Sequence, residues 1–227
     1  MGNEILWFLF LVFDLMAVLL AFRFWGKIGL YVMIGVSAII CNIQVVIIVK
    51  MFGLVATLGN IVYASIFLST DILSECYGKQ EARRGVWIGF FFLFWALITM
   101  QFAIHFIPDV SDTMMPHVET IFMFLPRVAI ASLVAYLVSQ HHDIWAFHFW
   151  RLKTGGKHLW IRNNFSTAVS QMIDSVVFSL GAFWGVLPNE ELFQIIITTY
   201  LFKLIVSILD TPFIYLARIL KRSMNEK

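Results

Sequence analysis

Seven ionisable side chains interrupt the apolar runs of this 227-residue chain: Asp14, Asp71, Glu75, Arg127, Asp174, Lys203 and Asp210. Facing lipid, each costs roughly 2.5–3.5 kcal/mol, and all seven together roughly 20 kcal/mol. Groups that expensive must face one another or a wet cavity. Asp71 and Glu75 are four residues apart and stack on one helical face. A helix beginning near Ile61, after the Gly59-Asn60 break, puts Asp71 about 15 Å down, close to mid-membrane. A helix beginning at Gly53 leaves Asp71 near the cytoplasmic boundary instead. Arg127, Asp174 and Lys203 each fall about 12–18 Å from a predicted helix end, and Asn42 lies at a similar depth. Asp174 could pair with Arg127 or with Lys203 and so fix the helix register. However, Asn42, Gln44, Gln171 and Ser175 add more hydrogen-bonding capacity than one pair consumes. Carboxylate and amide groups at one level suit a flat polar ligand, with aromatic faces to stack on it. Polar clusters at this depth are where transporter sites usually lie.

The elements that must hold these groups are helices in a bilayer. Sixty per cent of residues are hydrophobic and 13% are charged, against about 25% charged in soluble domains. Twenty-three Phe and eight Trp suit lipid contact and interfacial belts. The fold class expected is therefore an all-α integral membrane protein. Seven segments are long enough to cross: roughly 5–22, 29–49, 53–76, 85–107, 119–139, 164–187 and 191–216. Thirteen Lys and Arg fall in the connections on one side of this arrangement and only Lys50 on the other. That bias places the N-terminus outside and the C-terminus in the cytoplasm. The stretch HHDIWAFHFWRLK, after Ser139-Gln140, reads as an aromatic interfacial helix.

Catalytic chemistry finds no support. No HExxH spacing, GxSxG element or glycine-rich phosphate loop is present. His141-His142-Asp143 falls at the interface, where a solvated role outweighs a metal site. The expectation is neither an enzyme nor a cofactor or metal protein, without a Cys41–Cys76 disulfide. Energy for transport would come from an ion gradient, a partner or intracellular trapping. One short echo stands out: Ser139-Gln140-x-x-Asp143 and Ser170-Gln171-x-x-Asp174 share a spacing.

The segments STDILSECYGKQEARRGVWIGF, PRVAIASLVAYLVSQHHDIWAFHFWRLK, RNNFSTAVSQMIDSVVFSLGAF and FKLIVSILDTPFIYL resemble the queuosine precursor transporter family, formerly called vitamin uptake transporters. The resemblance covers about residues 35–218. It implies import of 7-deazaguanine precursors of the tRNA base queuosine (7-cyano- or 7-aminomethyl-7-deazaguanine, or queuine-type bases) across the inner membrane. It also implies a six-helix core similar to the substrate-binding subunits of energy-coupling-factor importers. Residues 28–218 would form that core, 1–27 an accessory N-terminal helix, and 219–227 a basic cytoplasmic tail. By motif, the substrate-binding candidates are Asn42, Gln44, Asp71, Glu75, Arg127, Gln171, Asp174 and Lys203, with Asp174 slightly ahead of Glu75 as the carboxylate for a guanine-like edge. The expected partners are the small-molecule base and the lipid bilayer, not nucleic acid. A homo-oligomer or a separate energising module is open. The alternative is a binding subunit, for a vitamin or purine, that depends on such a module.

Overall fold

The computed structural model describes residues 2–45, 47–51, 54–123, 125–155, 159–185 and 188–225. Seven helical elements carry most of the chain: α1 (Asn3–Gln44), α2 (Gly59–Cys76), α3 (Lys79–Ile104), α4 (Met115–Met123), α5 (Leu125–Lys153), α6 (Leu159–Phe183) and α7 (Asn189–Asn225). Three of them are long and apolar enough to cross a membrane alone: Asn3–Gln44, Lys79–Ile104 and Leu192–Met224. The α4–α5 pair, bent by 44°, passes the same test as one broken unit.

α1 is not one rod. Gly26 takes φ 57° and ψ −135°, a left-handed backbone that glycine adopts without a Cβ clash. Gly29 then lies so close to Ala21 that a Cβ on it would sit 2.2 Å from the Ala21 carbonyl oxygen. In a straight helix, residues eight apart are about 12 Å from each other, so the chain folds back at Gly26 into two arms. The first arm follows α2 in the same direction, with Asp14 beside Ser65 and Phe22 beside Tyr77. The second arm runs against α2, with Cys41 and Val45 at Gly59.

α2 is the centre of the bundle. Every residue from Gly59 to Ser74 is buried, so its serines, threonine and Asp71 face other helices rather than lipid. It begins at Gly59, which leaves Asp71 about 18 Å along it; the alternative start at Gly53 lies outside the described residues. Around it, large apolar side chains such as Phe91, Trp95 and Phe102 point outward, as a lipid-facing surface requires.

Two sequence expectations change. Residues 48–51 and 54–57 do not continue the flanking helices: β1 (Ile48–Met51) pairs antiparallel with β2 (Leu54–Thr57), Ile48 opposite Thr57. Short apolar runs rich in β-branched residues are ambiguous between strand and helix, and here the hairpin prevails. The HHDIWAFHFWRLK stretch is not a separate interfacial helix but the continuation of α5, with Asp143, Ile144 and Phe147 buried. The basic residues after 218 form the last turns of α7, which ends at Asn225.

The turn after Gly26 is tied to α3 through Glu81, which accepts hydrogen bonds from Tyr31 (2.5 Å), Lys27 (3.2 Å) and Arg84. The Tyr31 hydroxyl foremost, then Lys27, holds the Glu81 carboxyl below the usual carboxylate range. A lowered carboxyl contributes stability above its unfolded value and loses it as pH falls through the folded one. Glu81→Gln should therefore melt below the parent at pH 7, with the gap closing on acidification below about pH 4. Gly29→Val should destabilise the purified protein by about 1–3 kcal/mol, seen as a lower melting temperature, because the Ala21 carbonyl cannot move aside cheaply.

Candidate functional site

Asp174 of α6 is the hub. Its carboxylate is 3% exposed. It forms an ion pair with Lys203 of α7, which is itself 7% exposed. Tyr63 of α2 donates its hydroxyl to the other carboxylate oxygen, and Ser139 of α5 donates to that same oxygen at 3.1 Å. The Lys203 ammonium also lies 4.6 Å above the Tyr63 ring, a cation–π contact. Four helices thus converge on one carboxylate. A charge removed from water in this way must be paired and hydrogen-bonded, and both oxygens are.

Polar atoms without partners surround this pair. Asn42 gives its amide N–H to the Ala38 carbonyl at 2.9 Å, while its Oδ1 meets no donor. Its neighbour Cys41 lies within electrostatic reach of Lys203 and Asp174. Gln171, one turn before Asp174, leaves its Oε1 unpartnered, as Ser175 does its hydroxyl. Gln44, near the end of α1, also has a free Oε1. Tyr136 packs edge-on to Tyr63 with ring centres 6.5 Å apart. Sequence reasoning missed Tyr63 and Ser139. The SQ-x-x-D echo was the signal for Ser139, whereas nothing distinguishes Tyr63 in so aromatic a chain.

The remaining candidates lie elsewhere. Asp71 belongs to a second level, fully buried among Asp143 and Asp210, with Thr70 bonded to Gln140 at 3.1 Å alongside. Asp143 is 0% exposed, which corrects its solvated, interfacial placement; α5 simply runs ten residues further to Lys153. Glu75 pairs with Arg218 at 3.2 Å near the end of α2, away from Asp174. Arg127 is exposed on the first turn of α5 and donates to the Gly181 and Trp184 carbonyls at 3.0 and 2.5 Å. There it caps the C-terminus of α6, whose last carbonyls have no helical donors. Its pairing with Asp174 is ruled out, and Lys203 takes that place.

Among the described residues, no group of three His, Cys, Asp or Glu side chains converges to hold a metal ion. Cys41 and Cys76 are free thiols. Two grooves open on the bundle surface. One, about 560 Å³, is lined mainly by apolar side chains of α3 and α5 with Gln101 and His105. The other, about 430 Å³, lies between α5 and α6 beside Arg127. Neither is lined by Asp174 or Lys203. Concave space and chemistry point to different places, and the buried donors and acceptors at Asp174 are the stronger indication, since apolar grooves on a lipid-facing surface are filled by acyl chains.

If the pair is as interdependent as this geometry requires, Lys203→Met alone strands a buried carboxylate and should cost about 3–5 kcal/mol. The double substitution Lys203→Met with Asp174→Asn should recover most of that loss. Melting temperatures of the three proteins in one detergent measure the coupling.

Comparison with known proteins follows the same lines. Residues 57–217 match the family model described as "Putative vitamin uptake transporter". A Bacillus subtilis protein named "Probable queuosine precursor transporter" is 43% identical over 219 residues, 96% of each chain. A Haemophilus influenzae protein of the same name is 32% identical over 70% of this chain and 66% of its own. The Escherichia coli "Queuosine precursor transporter" is 26% identical over 70% of this chain and 71% of its own. No solved structure matches the chain. With the family model spanning most of its length and the Bacillus likeness running end to end, this multi-pass membrane protein belongs to the vitamin uptake transporter family, the queuosine precursor transporters that its motifs resemble.

Proposed function

We propose that this chain imports 7-deazaguanine precursors of queuosine across the inner membrane, binding them at the Asp174 level. The carrying observation is the buried carboxylate ringed by unpartnered amide oxygens, in a chain with relatives named for this cargo. A guanine-like edge offers two adjacent N–H donors, which suit a carboxylate. In the arrangement described here, Lys203 and Tyr63 occupy both oxygens of Asp174. Substrate would therefore displace the Lys203 ammonium and take its place, with Asn42 Oδ1 and Gln171 Oε1 accepting further N–H groups. Tyr63 and Tyr136 offer ring faces beside the same site. A site built this way rejects analogues lacking one exocyclic donor, because a buried acceptor then goes unpaired. Asp71, Glu75 and Arg127 are left outside this set, and Gln44, whose Oε1 is also unpartnered, is not needed for it.

The topology that goes with this reading has seven crossings: the two arms of α1, then α2, α3, the α4–α5 pair, α6 and α7. Residues 28–218 would be the transport core, similar to the substrate-binding subunits of energy-coupling-factor importers. The first arm would be a buttress held through Asp14 and Ser65. The Lys and Arg distribution supports an outside N-terminus and a cytoplasmic C-terminus.

Thermal stability of the purified protein against 7-deazaguanines, guanine, riboflavin and biotin tests the substrate class. A ligand at 100 times its dissociation constant should stabilise by about 2.7 kcal/mol. The expected result is a melting shift with 7-deazaguanines alone, lost in Asp174→Asn. No shift with any 7-deazaguanine at millimolar concentration would sink the proposal, and import that needs copurifying ATPase subunits would favour a binding subunit instead.

A further inference from the structure

Arg127 is a charged group that the transport reading leaves without a task. It stands exposed on the first turn of α5. Nε donates to the Gly181 carbonyl at 3.0 Å and Nη2 to the Trp184 carbonyl at 2.5 Å. A guanidinium carries five N–H groups, and these bonds use two of them, both on one edge. The Nη1–Nη2 end keeps the fork that grips a phosphate through two oxygens. No carboxylate pairs with Arg127 among the described residues. The acids of the loop before α4 are turned to their own backbone: Asp109 accepts from the Ser111 amide at 3.0 Å, and Asp112 from the Met114 amide at 2.7 Å.

Two grooves begin at this turn, one on each side of α5. The groove of about 560 Å³ has Pro126 at its head on α5 and faces α3. The groove of about 430 Å³ has Arg127 at its head and faces Val177 and Gly181 of α6. Ile130, 62% exposed, lines both and is the ridge between them. Along α3 the first groove reaches from His105 to Phe94, about 16 Å. That matches the hydrocarbon depth of one leaflet, half of about 30 Å. Its polar residues are already engaged: Gln101 donates to the Phe122 carbonyl at 2.9 Å, and His105 Nδ1 lies 2.7 Å from the Gln101 carbonyl. What the groove offers is apolar surface.

A cation at the head of two apolar grooves is complementary to an amphiphile with one anionic head and two tails. A partner helix would meet the Ile130 ridge before it reached either floor, whereas two acyl chains pass on either side. We propose that Arg127 and these grooves bind one anionic phospholipid, its phosphate on the free guanidinium fork and one acyl chain in each groove. A zwitterionic head brings its own cation, which competes with Arg127 for the phosphate; the head of phosphatidylglycerol brings none. On the topology proposed above, the site opens to the outer leaflet. It does not depend on the identity of the cargo. The bound lipid joins α3, α5 and α6 at one end of the bundle and holds in place the guanidinium that closes α6.

Native mass spectrometry tests this on the full chain in detergent, with equal amounts of phosphatidylglycerol and phosphatidylcholine of identical acyl chains. The expected result is one retained phosphatidylglycerol per chain, preferred about fivefold, as one interfacial arginine provides. Phosphatidylglycerol should also raise the melting temperature more than phosphatidylcholine does. Arg127→Gln should retain the two lipids equally. Because that change also removes the α6 cap, a second variant separates binding from folding. Val177→Trp fills the α6-side groove and leaves Arg127 on its two carbonyls. It should lower retention of both lipids while melting like the parent in lipid-free detergent, and it decides alone if Arg127→Gln does not fold. Equal retention of both lipids by the parent overturns the proposal, as does a preference that survives Arg127→Gln. Retention unchanged in Val177→Trp overturns the place of the grooves in it. A chain that dimerises and sheds its lipid as it does so would show a second copy as the occupant, and the proposal would fall.

Discussion

The buried ion pair between Asp174 and Lys203 is the constraint around which the bundle is arranged. Two charges taken out of water each carry a desolvation penalty of several kcal/mol, offset only where geometry is good and remaining lone pairs are satisfied. Tyr63 and Ser139 supply that satisfaction, which obliges α2, α5, α6 and α7 to arrive at one point in one register. Small residues make the approach possible. A Cβ on Gly181 would fall 2.7 Å from that of Ala131, so α5 and α6 are close where the chain has least side chain. The outer end of the same helix pair is then fixed by Arg127, whose guanidinium holds the last carbonyls of α6.

The electrostatics divide by depth. At the Asp174 level, one acid meets one base and the net charge is zero. At the Asp71–Asp143 level, acid meets acid. Beyond it, the bundle ends in cations: Arg151 on the Ser74 carbonyl, Arg218 on Glu75, and Lys221 3.9 Å over the Tyr77 ring. Along α2 the buried groups therefore change from an ion pair, through acids, to cations. Three successive charge environments on one central helix are more than register alone needs, since a single buried pair already specifies register.

How far the sequence discloses this depends on what each residue's signal competes with. Asp174 and Lys203 were legible because charge in an apolar run has few explanations. Their pairing was open, because helix depth depends on helix ends, and these were misplaced for α5. The break before Leu125-Pro126 puts Arg127 in a first turn, where proline is tolerated, rather than deep in a span. The same error placed Asp143 at an interface: the basic residues that follow it mark the true end of α5, ten residues later. Tyr63 was hidden among 23 Phe, 8 Trp and 6 Tyr, most of which serve lipid contact. The SQ-x-x-D echo was visible as a spacing, but the bond from Ser139 to Asp174 is a property of how α5 packs on α6, and no single segment carries it. The strand pair 48–51 and 54–57 escaped because four-residue runs carry no period long enough to separate strand from helix.

The lysine at the hub bears on how such a site can turn over. In this conformation Lys203 already satisfies Asp174, so a base bound there as proposed would gain only the difference between its own contacts and those it displaces. A ligand shifts a conformational equilibrium by no more than that difference. On the proposed reading, an occupied resting site would keep binding modest, which favours release, and would make the displaced ammonium the signal that substrate has arrived. Lys203 lies on α7, seven residues and about 10 Å before Asp210, one of the acids flanking Asp71. A substrate that displaced the ammonium, as proposed, would leave a buried positive charge in need of a new partner on the helix that also carries Asp210.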